Sequence, residues 1–165
     1  MVAVTSPATL IALGLPLIFA GMAAIAYGLL FGLRQSSAAP ASIAEPGEPF
    51  SFRAAILFAS TLAIVLLTAA ALRVWLGENG LVLAAAMAGF ADAHAIAVSI
   101  SSQVASGNIA PQNASVPILV GFTTNSVTKI VLAISSGSKA FAFRVVPGLI
   151  VVLAAAWIGL LVGID

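Results

Sequence analysis

Cysteine is absent from the 165 residues, and charge is nearly so: Lys, Arg, Asp and Glu together make up 7% of the chain. The missing cysteine excludes disulfides, thiol catalysis, and zinc or iron–sulfur sites built on thiolates. The missing charge excludes more. A soluble domain keeps its surface wet with roughly 25% charged residues, so this chain has no polar coat to offer water. Formal net charge is +1, which leaves no basic face for nucleic acid and no acidic face for cationic partners. No Lys or Arg precedes Arg34. The first apolar run therefore has no positive n-region, and it is too long for the core of a signal peptide, so it reads as a retained helix. Enzyme signatures are also missing: there is no G-x-S-x-G, no H-E-x-x-H and no phosphate-cradling glycine loop. The chain is not expected to be an enzyme, and no cofactor or metal is expected.

What remains is hydrophobic. Apolar residues make up 62% of the chain and mean hydropathy is +1.21. A bilayer core of about 30 Å asks for roughly 20 apolar residues per helix, and five runs approach that. Thr9–Leu33 is the first, with Pro16 expected to kink it and Gly28 and Gly32 forming a small-xxx-small pair that would admit a second helix. Ala54–Leu76 is the second, with Arg73 and Trp75 suited to an interface. Leu81–Ser102 is the third, rich in small residues, and Val116–Ile134 is the fourth. Val145–Ile164 is the fifth, with Pro147 in its first turn, where proline costs little.

Between the first two runs, Ser36, Ser37, Pro40, Ser42, Glu45, Pro46, Gly47, Glu48 and Pro49 make a flexible polar linker. Glu45 and Glu48 are read as solvated there. The turn Gly77–Gly80 and the loop Gln103–Ser115 are shorter. The expected class is an all-α integral membrane protein, a bundle of about five transmembrane helices. Its parts are a first transmembrane helix (1–34), a flexible polar linker (35–53) and a four-helix transmembrane unit (54–165). The lipid bilayer is its first partner, and a homo-oligomer, such as a dimer, is expected. No nucleic-acid partner is.

Ionisable residues inside a span are costly and normally face the bundle interior with a partner. Asp92, His94 and Lys129 are the three here. At 100° per residue, Ala85, Gly89, Asp92, Ile96, Ser99 and Gln103 share one face of a continuous third helix, with His94 nearly opposite Asp92. Gly121, Thr124, Asn125, Thr128 and Lys129 share one arc of the fourth. If these polar faces meet, Asp92 and Lys129 neutralise one another. Two readings follow. In one, an ion or proton pathway runs along helices three and four, with Asn125, Ser99 and Thr128 as neutral oxygen ligands. In the other, the same groups are glue in a non-transporting module that packs against and regulates another membrane protein. His94 is either a packing residue or a proton shuttle; with no second histidine and no cysteine, a transition-metal site would need carboxylates, water or a second subunit.

Positive charge is almost evenly split on a five-span reading. Arg34 and Arg53 fall on one side, and Arg73, Lys139 and Arg144 on the other, so the side facing the cytoplasm is not fixed. Dual insertion into an antiparallel dimer and a single orientation set by the first helix are both open.

Three stretches carry a resemblance. Glu48-Pro49-Phe50-Ser51-Phe52-Arg53-Ala54 is similar to an Asn-Pro-Phe-like helix entry. Gly89-Phe90-Ala91-Asp92-Ala93-His94-Ala95-Ile96 is similar to a Gly-Leu-Ala-Asp-x-Asp-Ala-Ile-like element, and Thr124-Asn125-Ser126-Val127-Thr128-Lys129 to Ala-Asn-Thr-x-x-Lys. From Glu48 to the end, the chain resembles the C-terminal half of a bacterial membrane domain of unknown function that many proteins carry behind an MgtC/SapB-type membrane domain. The resemblance implies location in a bacterial inner (cell) membrane and a link to magnesium or ion homeostasis. It also implies that Asp92, Asn125 and Lys129 matter. His94 stands where the family has a second Asp, so a two-carboxylate site is incomplete here. Neither the MgtC/SapB-type half nor the domain's own first half is recognisable, and self-association would be one way to replace the latter.

Overall fold

The computed structural model describes residues 6–35, 80–136 and 139–163, and between them the helical positions Ile56, Ser60, Ala63, Ile64, Leu67, Ala71 and Trp75. The polar linker 36–53 and most of the second apolar run lie outside the described residues. So do Gly77, Glu78 and Asn79 of the expected turn; Gly80 is already helical. The elements are α1 (Pro7–Ala12), α2 (Gly14–Gln35), α3 (described over Gly80–Gly89), α4 (Ala93–Ala105), a 3₁₀ turn (Pro111–Asn113), α5 (Ser115–Ser136) and α6 (Lys139–Val162). There is no strand among the described residues.

Among the described residues, three helices are long and apolar enough to cross a membrane: Gly14–Phe31, Pro111–Ser135 with its leading 3₁₀ turn, and Lys139–Val162. They lie side by side and antiparallel in the order α2, α6, α5. Gly148 of α6 faces the Tyr27 ring, and Gly159 faces the backbone of Leu15 and Pro16, so α6 runs down α2. Leu119 packs with Ala156 and Leu160, and the Trp157 indole N–H donates to Thr123 Oγ1 at 3.1 Å, which fixes α5 against α6. Glycine permits the closest of these approaches, as is usual where helices pack in lipid without a hydrophobic driving force between them. Leu17, Ile18, Met22, Ile25 and Leu29 of α2 are exposed. So large an apolar surface is untenable in water and ordinary in a bilayer.

The first apolar run is interrupted at Leu13 and resumes as α2. Ser6 caps its start, its hydroxyl accepting from the Thr9 N–H at 3.3 Å. Pro16 has no N–H to give the Ala12 carbonyl, and Ser115, on another helix, donates to that carbonyl instead. Pro147 is not in the first turn of its helix. α6 begins at Lys139, and Pro147 sits in its interior. It deprives the Phe143 carbonyl of a partner, and one residue along, the Tyr27 hydroxyl donates to the Arg144 carbonyl at 2.6 Å. Gly28, expected to admit a second helix, meets nothing within 4 Å.

The third apolar run departs most from expectation. Leu81–Ser102 is not one helix: α3 ends at Gly89, Phe90–Asp92 is a turn, and α4 starts at Ala93. The turn is closed by Phe90 N–H to Met87 carbonyl, 3.2 Å, and by Ala91 and Asp92 N–H to Ala88 carbonyl, both 3.0 Å. A Cβ on Gly121 would stand 3.2 Å from the Ala85 carbonyl and 3.3 Å from Ile96 Cγ2. Residues eleven apart on a straight helix are about 16 Å apart and cannot meet at one point. The chain therefore doubles back. α3 runs along α5 from Leu81, near Ala114 and Ile118, to Gly89 against Thr124, and α4 returns with Ile96, Ile100 and Val104 on the same side of α5. At 13 residues, or about 20 Å, α4 falls short of crossing the bilayer.

This reversal changes the charge distribution. α2 and α5 are both antiparallel to α6, so they run in the same direction, whereas first and fourth spans of a simple five-span chain run oppositely. The last turn of α2, holding Arg34, and the start of α6, holding Lys139 and Arg144, consequently share one end of the bundle. The expected placement of Arg34 opposite Lys139 and Arg144 does not hold, while Arg53 and Arg73 lie outside the described residues. The opposite end, with Ser6, Leu13, the loop 106–114 and Val162, has no Lys or Arg among its described residues.

Candidate functional site

The turn between α3 and α4 places a carboxylate at a helix start. Asp92 is the N-cap of α4, with φ −158° and ψ 117°, and its Oδ1 accepts from the His94 N–H at 2.8 Å. Aspartate suits this role because its short acceptor satisfies a donor that the first turn leaves open. The carboxylate also meets the positive end of the helix dipole. Asp92 and His94 are both exposed.

Depth follows from register. Ile96 lies against Gly121, and α4 runs antiparallel to α5, so Asp92, four residues before Ile96, falls level with Asn125. That is the middle of the 22-residue α5, about 33 Å long. The expected polar arc of α5 is present. Gly121 is buried under Ala85 and Ile96, Thr124 lies under Gly89, Asn125 and Thr128 are half-buried, and Lys129 is exposed. The α3–α4 pair covers only the first half of this arc.

The partners differ from those expected. Among the described residues, Asp92 and Lys129 form no ion pair. Thr128 Oγ1 is engaged by its own helix, donating to the Thr124 carbonyl at 3.0 Å, and Thr124 Oγ1 does the same toward Gly121 and Val120. The Asn125 amide has no protein partner among the described residues. Ser99 is exposed rather than on the interface. The face that α4 buries is Ile96, Ile100, Ser101 and Val104, because the turn at Phe90–Asp92 resets the helical rotation counted from Ala85 and Gly89. The site thus gathers Asp92, Asn125 and, one turn further along α5, Lys129.

Other polar residues turn out to hold the helices: Ser115 on Ala12, Tyr27 on Arg144 and Trp157 on Thr123. Pro16 was the sequence signal for the first, since it leaves a carbonyl that a neighbouring hydroxyl can serve. A cavity of about 140 Å³ lies between α1–α2 and the end of α6, lined by Leu15, Pro16, Gly159 and Leu160 among others. It is at the Ser115 end of the bundle, away from Asp92.

No curated protein and no solved structure matches this chain. A family model does, over residues 1–137. The match reaches well before Glu48, where the sequence resemblance begins, and stops short of α6, so it takes in both helices of the reversal and the polar arc of α5. On that match the chain belongs to the family described as a domain of unknown function, DUF4010.

Proposed function

We propose that this chain is a small ion-handling membrane protein, a channel or transporter, whose pathway runs past the α3–α4 turn and along the polar arc of α5. The observation that carries this reading is the chain reversal at Phe90–Asp92, level with the middle of α5 and holding a carboxylate. Non-helical backbone at membrane depth is tolerated where it is buried in protein or lines a water-filled space. Asp92 is exposed, which favours the second case. Interrupted helices with polar backbone ends at mid-membrane are a recurrent way to build ion and substrate sites. Asp92 and Lys129 would set the electrostatics of such a pathway, and the Asn125 amide would offer an uncommitted oxygen. Thr128 is the weaker ligand, because its hydroxyl is already bonded, and Ser99 is exposed on α4. The resemblance to domains fused behind MgtC/SapB-type proteins supports a bacterial cell membrane and a link to ion homeostasis. The role is not enzymatic.

The competing reading is a non-transporting module that regulates another membrane protein. What favours it is that Asp92 already has a structural task as the cap of α4.

Flux into liposomes carrying the purified protein separates the two, with potassium, sodium, magnesium, protons and fluoride as test ions and Asp92→Asn as control. Flux that Asp92→Asn abolishes supports the pathway. Absence of flux for every ion from well-folded protein rejects it and favours the regulatory module.

A further inference from the structure

We infer that two copies of this chain pair across the face carrying Asp92 and Lys129, each copy's Asp92 meeting the other's Lys129. Asp92, His94 and Lys129 are all exposed on the single chain, yet register places Asp92 level with the middle of α5 and Lys129 one turn, about 6 Å, beyond it. Ionisable groups at that depth face a bundle interior or a water-filled space and have a partner. Among the described residues, the chain supplies neither cover nor countercharge. The α3–α4 pair stops at Thr124, and beyond it Val127, Val131, Leu132 and Ile134 of α5 are exposed at 43–63%.

Lipid tails carry no charge to neutralise either group. Water alone would have to wet the apolar strip beside Lys129, so a water-filled space at this place needs a second protein wall. A face that bears one acid and one base a turn apart is complementary to itself. A two-fold axis through it forms two opposite-charge contacts at once, as an isologous interface does. The lysine stem is long enough to span the offset of one turn. This pairing is independent of ion movement and stands or falls on association.

The test uses full-length chains with two different tags, one bearing Asp92→Lys and the other Lys129→Asp, co-expressed and extracted in mild detergent. Each variant pairs with itself only by opposing like charges, while the mixed pair restores both opposite-charge contacts. Mixed pairs are expected to outnumber either self-pair by roughly tenfold, the change that 1.4 kcal/mol gives. Recovery of mixed pairs at the level of self-pairs overturns the inference. So does rescue by both substitutions within one chain without any preference for mixed pairs, which would assign the contact to a single chain.

Because Asp92→Lys also removes the cap of α4, a second measurement leaves that residue intact. The cysteine-free chain allows Ala91→Cys in one tagged copy and Lys129→Cys in the other. Oxidation in native membranes is expected to link differently tagged copies well above an Ile150→Cys and Lys129→Cys control, and linkage no greater than that control overturns the inference.

Discussion

The Ser115 hydroxyl donates to the Ala12 carbonyl at 3.3 Å, and that carbonyl is the one Pro16 leaves without its helical N–H. Ser115 is 3% exposed, so no water competes for the bond. An unpaired carbonyl inside a membrane is costly, and the contact lets a proline bend α1 away from α2 while its vacated acceptor stays served. Near Pro147, the Tyr27 hydroxyl donates to the Arg144 carbonyl, one residue past the Phe143 carbonyl that the proline leaves open.

Ser115→Ala is therefore expected to lower stability by about 1 kcal/mol, within the range of interhelical hydrogen bonds in membranes. In a Pro16→Ala background, the introduced alanine supplies the missing N–H and the loss should shrink toward zero. Thermal unfolding in detergent of the two single variants and the double variant measures this coupling. Equal losses in both backgrounds would show that Ser115 does not serve the carbonyl freed by Pro16.

Gly89 and Gly121 set how closely the reversal lies on α5. A Cβ on Gly89 would run into Thr124 Oγ1 and the Gly121 backbone, with Gly121 Cα at 2.8 Å. Backbone cannot rotate away as a side chain can, so Gly89→Ala should cost about 1–3 kcal/mol, the usual cost of overpacking. Gly28→Ala is the control, because nothing lies within 4 Å there; it should be neutral or slightly stabilising. A Gly89→Ala protein as stable as wild type would contradict this close approach.

The common end of Arg34, Lys139 and Arg144 predicts the orientation. Cytoplasmic segments carry the excess of Lys and Arg, so this end should face the cytoplasm in all copies, with the loop 106–114 on the far side. The chain has no cysteine, and Lys139 and Gln112 are both exposed. An impermeant thiol reagent outside intact cells should label Gln112→Cys and leave Lys139→Cys unlabelled. Labelling of both would instead support dual insertion.

Helix class and membrane environment were legible in the apolar runs because lipid imposes a length and a composition on any spanning helix. α2, α5 and α6 appear where those runs predict, with ends displaced by a few residues at α6. The polar arc of α5 was legible too, since Gly121, Asn125 and Lys129 keep helical spacing on an unbroken helix. The reversal was harder to see. Gly89-Phe90-Ala91-Asp92 is apolar enough to continue a helix and contains no proline. Its signal was weak: a glycine suited to a helix end, three residues before an aspartate suited to a helix start. Missing that signal ran Leu81–Ser102 as one helix, paired Asp92 with Lys129 within one chain, and placed Arg34 opposite Lys139 and Arg144. Contacts such as Thr123 with Trp157 depend on which helices become neighbours, and chain order does not determine that.

Asp92 combines a charge with a cap, and the two can be separated. Asparagine caps helices about as well as aspartate, so Asp92→Asn should keep the bond from the His94 N–H and hold stability to within a few tenths of a kcal/mol while removing the charge. Asp92→Ala removes both and should cost about 1 kcal/mol, with loss of helical signal confined to α4, readable by hydrogen exchange over 93–105. If Asp92→Asn is stable but abolishes flux, the carboxylate's charge serves the pathway and its cap is incidental. If Asp92→Asn conducts as wild type and only Asp92→Ala fails, the residue acts by starting α4, and the polar turn is a packing device. Lys129→Met sharpens the distinction. With no partner in its own chain among the described residues, Lys129 should leave the stability of an isolated copy unchanged, so any loss from that substitution should appear in association or in flux.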